Sequence, residues 1–178
     1  YPNKPVRVVV PYPPGGPTDI VARVLFQQVS EATGQQFLVD NRAGAGGNIG
    51  AEIVAKSPAD GYTLLIGTTA HAINMSLFKN LSYDVLKDFI PVASIGDAPQ
   101  IVSARKDFPA NGLDEFAAYL KQNAPRLNFG AAGVGSGTWL GGQLINVKLG
   151  VKVNGVNYRG AGQAVNDVMA GHIDYMVE

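Results

Sequence analysis

Short apolar runs alternate with longer amphipathic stretches along the whole chain. The apolar runs are rich in β-branched residues and are set off by Gly, Pro or Asn, which is the pattern of strands joined to helices in parallel sheets. They predict strands at 6–10, 36–39, 62–66, 92–95, 101–104, 127–130, 155–158 and 173–177. Helices are predicted after Gly16, near Asn48, near His71, from Leu113, after Thr138 and after Gly162. The chain is therefore expected to be an α/β protein with parallel-rich sheets flanked by helices.

The first helix shows the clearest apolar pattern. Five of its apolar side chains recur at helical spacing, which predicts that they pack on the sheet. They are Ile20, Val21, Val24, Leu25 and Val29. Gly34 is a good signal for the end of the helix. The strand and helix pattern restarts near Ala98-Pro99. We therefore predict a first lobe over residues 1–98 and a second lobe over residues 99–178.

Composition removes several classes of function. With 14 Lys and Arg against 14 Asp and Glu in 178 residues, and no run of like charge, no nucleic-acid partner is expected. The absence of Cys excludes disulfides and thiolate chemistry. No apolar run approaches the roughly 20 residues that span a bilayer, and the first residues lack the layout of a signal peptide. A soluble protein, with any signal peptide already removed, is expected.

The stretch VPYPPGGPTD, residues 10–19, joins the first strand to the first helix. Pro17 suits the first helical position, where its missing N–H leaves no donor unpaired, and this predicts Gly16 as the N-cap. Gly15 and Gly16 leave the helix start free of side chains, so exposed N–H groups and the positive end of the helix dipole favour a small anion. The same turn is also compatible with a purely structural connection.

The residues around this turn limit the kinds of anion that it can bind. The turn lacks the Lys-Ser/Thr ending of a nucleotide P-loop and the three glycines of a dinucleotide-binding loop. Asp19 would repel a phosphate dianion unless its carboxylate folds back onto the N–H groups of its own helix, and we expect it to act mainly as a cap. A carboxylate held by the N–H groups of Gly15 to Asp19, without a salt bridge there, is the predicted ligand group.

Two further glycine-rich segments lead into predicted helices, at 41–57 and 130–145. The second contains Ser136 and Thr138, which we interpret as small hydroxyl donors. Ligands of open parallel sheets bind beyond the carboxyl ends of the strands, where such turns gather. Three glycine-rich turns on two lobes therefore predict a ligand cleft.

The segments VVPYPPGGPTDIVAR, NRAGAGGNIGAEIVAKSPADGYTLLIGT, HAIN and YRGAGQAVNDVMAGHID resemble the substrate receptors of tripartite tricarboxylate transporters, the Bug-type periplasmic binding proteins. The resemblance runs in order along nearly the whole chain. It implies a two-lobed, Venus-flytrap periplasmic receptor that closes on a small carboxylate, such as a di- or tricarboxylate, an amino acid or an aromatic acid. It further implies delivery to a membrane permease, with no catalysis, cofactor or metal.

The resemblance also implies the ligand-binding residues. The first turn would hold a carboxylate through backbone N–H groups and ordered water, and the start of the third helix would line the first lobe's side of the cleft. The turns before the fifth and sixth helices would meet the ligand from the second lobe. The implied residues are Tyr12, Gly15, Gly16, Thr18, Asp19, Thr69, Ala70, His71, Ser136, Gly137, Thr138, Trp139, Gly160, Ala161 and Gly162.

Other interpretations remain open at this point. A ligand-sensing module could use the same cleft, and a hydrolase is a third class, although Ser136 lacks a GxSxG context and a placed histidine partner. His172 is expected to sit at a helix end. Arg42 and Arg159 are more often solvated beside turns than bound to ligand.

The sequence differs from the family pattern at two points, and each difference leads to a prediction. Trp139 stands where relatives often carry His or a small polar residue. Its side chain either packs under the loop or stacks on the ligand. If it stacks on the ligand, ligand addition is expected to change the tryptophan fluorescence. Family members also continue well past a motif like GHIDYMVE. We therefore expect this chain to be a piece of a longer receptor with its second lobe incomplete.

Overall fold

A computed structural model describes residues 1–178, and the chain divides by its internal contacts into two units, Tyr1–Ile95 and Gly96–Glu178. Each unit combines helices with its own sheet, and the α/β class with parallel-rich sheets is confirmed. The lobe boundary between residues 98 and 99 stays a prediction. No helix is both long enough and apolar enough to cross a membrane.

The first unit is built around a three-stranded parallel sheet in the order β2-β1-β3. Its elements, in chain order, are β1 Val6–Val10, α1 Pro17–Thr33, β2 Phe37–Asn41, a 3₁₀ turn Ala45–Gly47, α2 Asn48–Ala55, β3 Thr63–Leu65 and α3 Thr69–Leu77. The central strand β1 is wholly buried at four of its five positions, and valine occupies all four. Val8 lies between Val39 and Leu64 in register and packs against Ala22 and Phe26.

The second unit contains a four-stranded sheet in the order β4-β7-β5-β6, in which only β4 runs antiparallel to its neighbour. Its elements are β4 Val102–Ala104, α4 Leu113–Asn123, β5 Asn128–Ala131, α5 Gly137–Leu149, β6 Asn154–Asn157, α6 Ala161–Ala170 and β7 Tyr175–Val177, with a 3₁₀ turn at Ala124–Arg126. Phe129 and Tyr175 lie at the centre of its core. A Cβ on Gly142 would overlap the ring of Phe129, so α5 packs closely on the sheet only because this position is glycine.

The sequence pattern placed one strand where the structure has none. Residues 92–95 are irregular and pair with no strand, and Val92 is 81% exposed. A β-branched run satisfies the pattern of a strand, but without a hydrogen-bonding neighbour it forms no sheet. The strand at 6–10 has its predicted bounds, and the ends of the other predicted strands differ by one or two residues.

The predicted packing face of α1 is also wrong in part. Ile20, Val21 and Val24 are exposed by 54%, 46% and 64%, while Ala22 and Phe26 are buried, with Leu25 and Val29 packed beside them. The side of α1 that faces the sheet carries Asp19, Ala22 and Phe26, which are spaced at i, i+3 and i+7. The inward side of the helix therefore includes a buried carboxylate, which the spacing of apolar residues does not reveal.

Candidate functional site

The turn between β1 and α1 has the predicted backbone. Gly16 is the N-cap in extended conformation, Pro17 occupies the first helical position, and Gly15 has a φ of 82° that favours glycine. The helix ends at Gly34 in the left-handed region, as predicted. The local residue types therefore determine both ends of α1.

The carboxylate of Asp19 folds back onto this turn. It is 2% exposed, and its Oδ2 accepts hydrogen bonds from Gly15 N–H at 2.8 Å and from Arg23 Nε at 3.0 Å. Its Oδ1 accepts from Asn41 Nδ2 at 2.9 Å. Asp19 is thus a structural cap, and the prediction that the Gly15 N–H is free to hold a ligand is wrong.

These contacts also set the charge state of Asp19. Burial alone would raise the pKa of its carboxyl, but the hydrogen bonds from Arg23, Gly15 and Asn41, together with the charge of Arg23, outweigh it and lower the pKa. Asp19 is therefore ionised at neutral pH. Its negative charge lies directly beneath the helix start, balanced by a half-exposed arginine.

Besides the N–H of the N-cap Gly16, two backbone donors within α1 remain at this helix start. The first N–H to bond within α1 is that of Ile20, which donates to Gly16 O at 3.0 Å. The N–H groups of Thr18 and Asp19 precede it and have no acceptor in the protein. They correspond to the unpaired donors expected at any helix N-terminus, here without a side chain at the N-cap to cover them.

The third helix starts beside the same turn, because β3 is the parallel neighbour of β1. Thr68 is its N-cap, one residue before the predicted start of the site, and Thr68 Oγ1 lies 3.3 Å from Tyr12 Oη. The Tyr12 side chain is half-buried, and burial raises the pKa of its phenol. Tyr12 thereby links the β1–α1 turn to the start of α3.

His71 completes the cap of α3 and is buried, with 4% of its surface exposed. Thr68 N–H donates to His71 Nδ1 at 3.0 Å, which places the ring proton on Nε2 in the neutral form. Burial lowers the pKa of His71, so the ring is neutral at pH 7. Nε2 is buried and makes no hydrogen bond of acceptable geometry within the protein.

A polar cluster that the sequence did not single out lies next to His71. Asn74 Nδ2 donates to Asn48 Oδ1 at 2.8 Å and to Gly46 O at 3.3 Å, and Tyr83 Oη donates to Asn48 Oδ1 at 2.6 Å. All three side chains are buried. The only sequence signal was the motif AGGN before α2, since contacts between residues 26 and 35 apart leave no local pattern.

In the second unit, Ser136 and Thr138 do not offer hydroxyl donors. Ser136 Oγ donates to Gly133 O at 2.7 Å and accepts from Trp139 N–H at 3.2 Å. Thr138 Oγ1 accepts from Ala132 N–H at 2.8 Å and lies 2.9 Å from Ser136 Oγ. Because the Ser136 proton goes to a carbonyl, Thr138 must donate to Ser136, and both hydroxyl protons are used. The interpretation of these hydroxyls as ligand donors is therefore wrong.

The backbone at the start of α5 remains open. Leu140 N–H donates to Ser136 O at 3.0 Å and Trp139 N–H is capped by Ser136, whereas the N–H groups of Gly137 and Thr138 have no acceptor in the protein. The helix begins at Gly137, ahead of the predicted start. No histidine lies among the hydrogen-bond partners of Ser136, so the arrangement does not match a serine hydrolase.

The remaining predicted residues lie at the same edge of this sheet. Trp139 is partly buried against the core, and α6 starts at Ala161 after an extended Gly160, two residues ahead of the start predicted after Gly162. Because β5 and β6 are parallel neighbours, the starts of α5 and α6 lie side by side, as those of α1 and α3 do in the first unit. The predicted residues thus form one group in each unit.

The charged candidates are either bound to another side chain or exposed. Arg42 Nε bonds the Asp40 carboxylate at 3.0 Å, and Arg159 is exposed. His172 follows the helix-ending Gly171, as expected, and its N–H donates to Asp167 O at 2.9 Å. No group of three or more acidic, Cys or His side chains is arranged to hold a metal ion.

Comparison with known proteins agrees with this geometry. Residues 21–178 match the tripartite tricarboxylate transporter family receptor, TctC. The chain belongs to this receptor family. Among curated relatives, protein BugT of Bordetella pertussis is 38% identical over 180 residues, which cover all of this chain and 55% of BugT.

Two solved structures superpose closely on this chain. MatC from Rhodopseudomonas palustris with bound malate gives a TM-score of 0.94 at 39% identity, over all of this chain and 61% of MatC. A second R. palustris protein, solved with adipate, gives 0.95 at 36% identity, over all of this chain and 60% of that one. The chain thus spans little more than half the length of BugT and about three fifths of these solved receptors.

Proposed function

We propose that this protein is a periplasmic receptor that binds a small carboxylate and delivers it to the permease of a tripartite tricarboxylate transporter. The observation that carries the proposal is the state of the helix starts. In each unit side-chain hydrogen bonds hold the turn, while two backbone N–H groups of the helix have no acceptor. They belong to Thr18 and Asp19 in one unit and to Gly137 and Thr138 in the other.

Such donors suit a carboxylate. Backbone N–H groups at a helix start lie at the positive end of the helix dipole, and hydrogen bonds to a charged group contribute roughly 1.5–3 kcal/mol each. The malate and adipate held by the solved relatives are small dicarboxylates, which favours the same ligand class here. We infer that the carboxylates of the ligand bind at these helix starts.

The chain allows one backbone donor to be removed almost alone. Proline fits the first helical position, as Pro17 shows in α1, and Ser136 already has the extended conformation (φ −70°, ψ 158°) that precedes proline. Gly137→Pro therefore deletes the N–H of Gly137 while keeping the helix. Gly137→Ala adds a Cβ but keeps the N–H, and it serves as the reference.

The test is calorimetric titration of these variants with malate and with adipate. We expect Gly137→Pro to bind at least about tenfold more weakly than Gly137→Ala, because one charged hydrogen bond is lost. Leu113→Pro makes the same change at the first position of α4, where Leu113 is 73% exposed and the helix follows the antiparallel strand, and it should bind like wild type. Equal binding by the proline and alanine variants would contradict the proposed contact.

Delivery to a permease needs a separate experiment. Reconstituted transporter membranes from the organism that encodes this protein should take up labelled dicarboxylate only when the receptor is added. If the receptor binds malate or adipate but never stimulates uptake, the sensing alternative replaces transport. Absence of binding to any small carboxylate would contradict both.

A further inference from the structure

Three side chains beside the start of α1 form a closed hydrogen-bonded triangle, which we call the clamp: Asp19, Arg23 and Asn41. Arg23 Nη2 donates to Asn41 Oδ1 at 2.9 Å, Asn41 Nδ2 donates to Asp19 Oδ1 at 2.9 Å, and Arg23 Nε donates to Asp19 Oδ2 at 3.0 Å. Each member therefore orients the other two.

The clamp holds the β1–α1 turn at two points. Asn41 Nδ2 also donates to Tyr12 O at 3.0 Å, and the Asp19 carboxylate accepts the N–H of Gly15 at 2.8 Å. Tyr12 and Gly15 bracket the two prolines of the turn. The turn has no other side-chain contact that fixes both of these backbone groups, so its shape depends on the clamp.

Asn41 is well placed for this task. It is the last residue of β2 and lies opposite Val10, the last residue of the central strand β1. The sheet thus fixes its backbone, and its amide reaches across to the turn that follows β1. An amide is the only side chain of this size that can donate to a carbonyl and a carboxylate while accepting from a guanidinium.

We propose that Asn41 is a positioning residue for ligand binding, which acts through Asp19 and the β1–α1 turn to hold the free N–H groups of Thr18 and Asp19 toward a ligand carboxylate. This inference rests on the proposed function and deepens it. Arg23 neutralises the buried carboxylate of Asp19, and without that balance the turn would repel a second carboxylate.

The test compares Asn41→Ala with Asn154→Ala. Asn154 is also at one end of an edge strand and donates one side-chain hydrogen bond, to Asn128 Oδ1 at 3.0 Å, but it lies in the other unit and outside both groups of site residues. The first readout is the backbone amide of Gly15, observed by nuclear magnetic resonance. Its hydrogen-exchange rate is measured, and its chemical shift is recorded as the pH is lowered from neutral to acid. The second is calorimetric binding of malate and adipate.

In Asn41→Ala we expect Gly15 exchange to rise about tenfold and the Gly15 shift to titrate at higher pH, because Asp19 loses a hydrogen bond that lowers its pKa. We also expect binding to weaken about tenfold. Asn154→Ala should leave both readouts at their wild-type values.

Three other outcomes would contradict the positioning role of Asn41 or the proposed function. An unchanged Gly15 signal in Asn41→Ala would overturn the positioning role, whatever happens to binding. A changed signal with unchanged binding would show that the clamp shapes the turn but not the ligand site, and would also overturn it. A wild-type protein that binds neither acid would refute the proposed function, and the Gly15 signal would then separately decide whether the clamp exists.

Discussion

The starts of α1 and α5 have the same geometry but different chemistry. In both, a buried side chain folds back onto the turn that follows a parallel strand, and two N–H groups of the helix stay free. In the first unit the clamping group is the ionised carboxylate of Asp19, bound to Arg23 and Asn41. In the second it is the neutral hydroxyl pair of Ser136 and Thr138.

The difference shows that a helix start without a side chain at its N-cap is held by side chains from other positions. Glycine at the N-cap gives no side-chain hydrogen bond, so in α1 the support comes from Asp19 and from Asn41 on a neighbouring strand. In α5 the N-cap is Ser136 itself, and the support is local. The first clamp therefore depends on charge and on long-range contacts, and the second on neither.

The largest effect is expected from removing the charged clamp. Asp19→Ala leaves the Gly15 N–H and one of the two amide protons of Asn41 without an acceptor, and should lower the free energy of unfolding by about 3 kcal/mol. Ser136→Ala removes an N-cap hydroxyl and should cost about 1 kcal/mol. Chemical denaturation followed by circular dichroism measures both, and equal losses would show that the two clamps do not differ in strength.

The second-largest effect is expected from acid pH, which should change the stabilising contribution of Asp19 but not that of Ser136. Because the pKa of Asp19 is lower in the folded state than its unfolded value of about 3.9, ionised Asp19 stabilises the fold above that pH. This contribution is lost as the pH falls through the folded pKa. The stability difference between wild type and Asp19→Asn should therefore shrink below about pH 4, whereas the difference for Ser136→Ala should stay constant. Parallel pH profiles for the two variants would contradict the assignment.

The smallest effect is expected at Arg23. Its side chain is 52% exposed, so its ion pair with Asp19 is screened by water and Arg23→Ala should cost only about 0.5–1 kcal/mol. Urea denaturation at low and high salt measures this loss. A loss as large as that of Asp19→Ala would mean that the ion pair, and not the amide and N–H contacts, holds the turn.

The sequence predicted the features that depend on neighbouring residues. Pro17, Gly16 and Gly34 set the ends of α1 because each acts through its own backbone. The strand at 92–95 was wrong, since pairing depends on a partner that the run itself does not contain. The packing face of α1 was wrong in part because a buried carboxylate, Asp19, determined it.

At the candidate site, the sequence located the turns but not the contacts within them. It placed the helix starts at the correct edge because parallel strands bring them there. It missed Asn41, Asn74 and Tyr83, whose partners lie 18 or more residues away. It also assigned Ser136 and Thr138 to the ligand, because only the hydrogen-bond directions show that their protons are already used.

Trp139 gives the protein a built-in optical probe of one unit. It is the only tryptophan in the chain and packs against the apolar cluster of the second unit, while the first unit contains none. Its emission therefore follows the melting of the second unit alone, whereas circular dichroism averages both. Whether the two units unfold together or in turn can be determined from these two signals in one heating experiment, without a label.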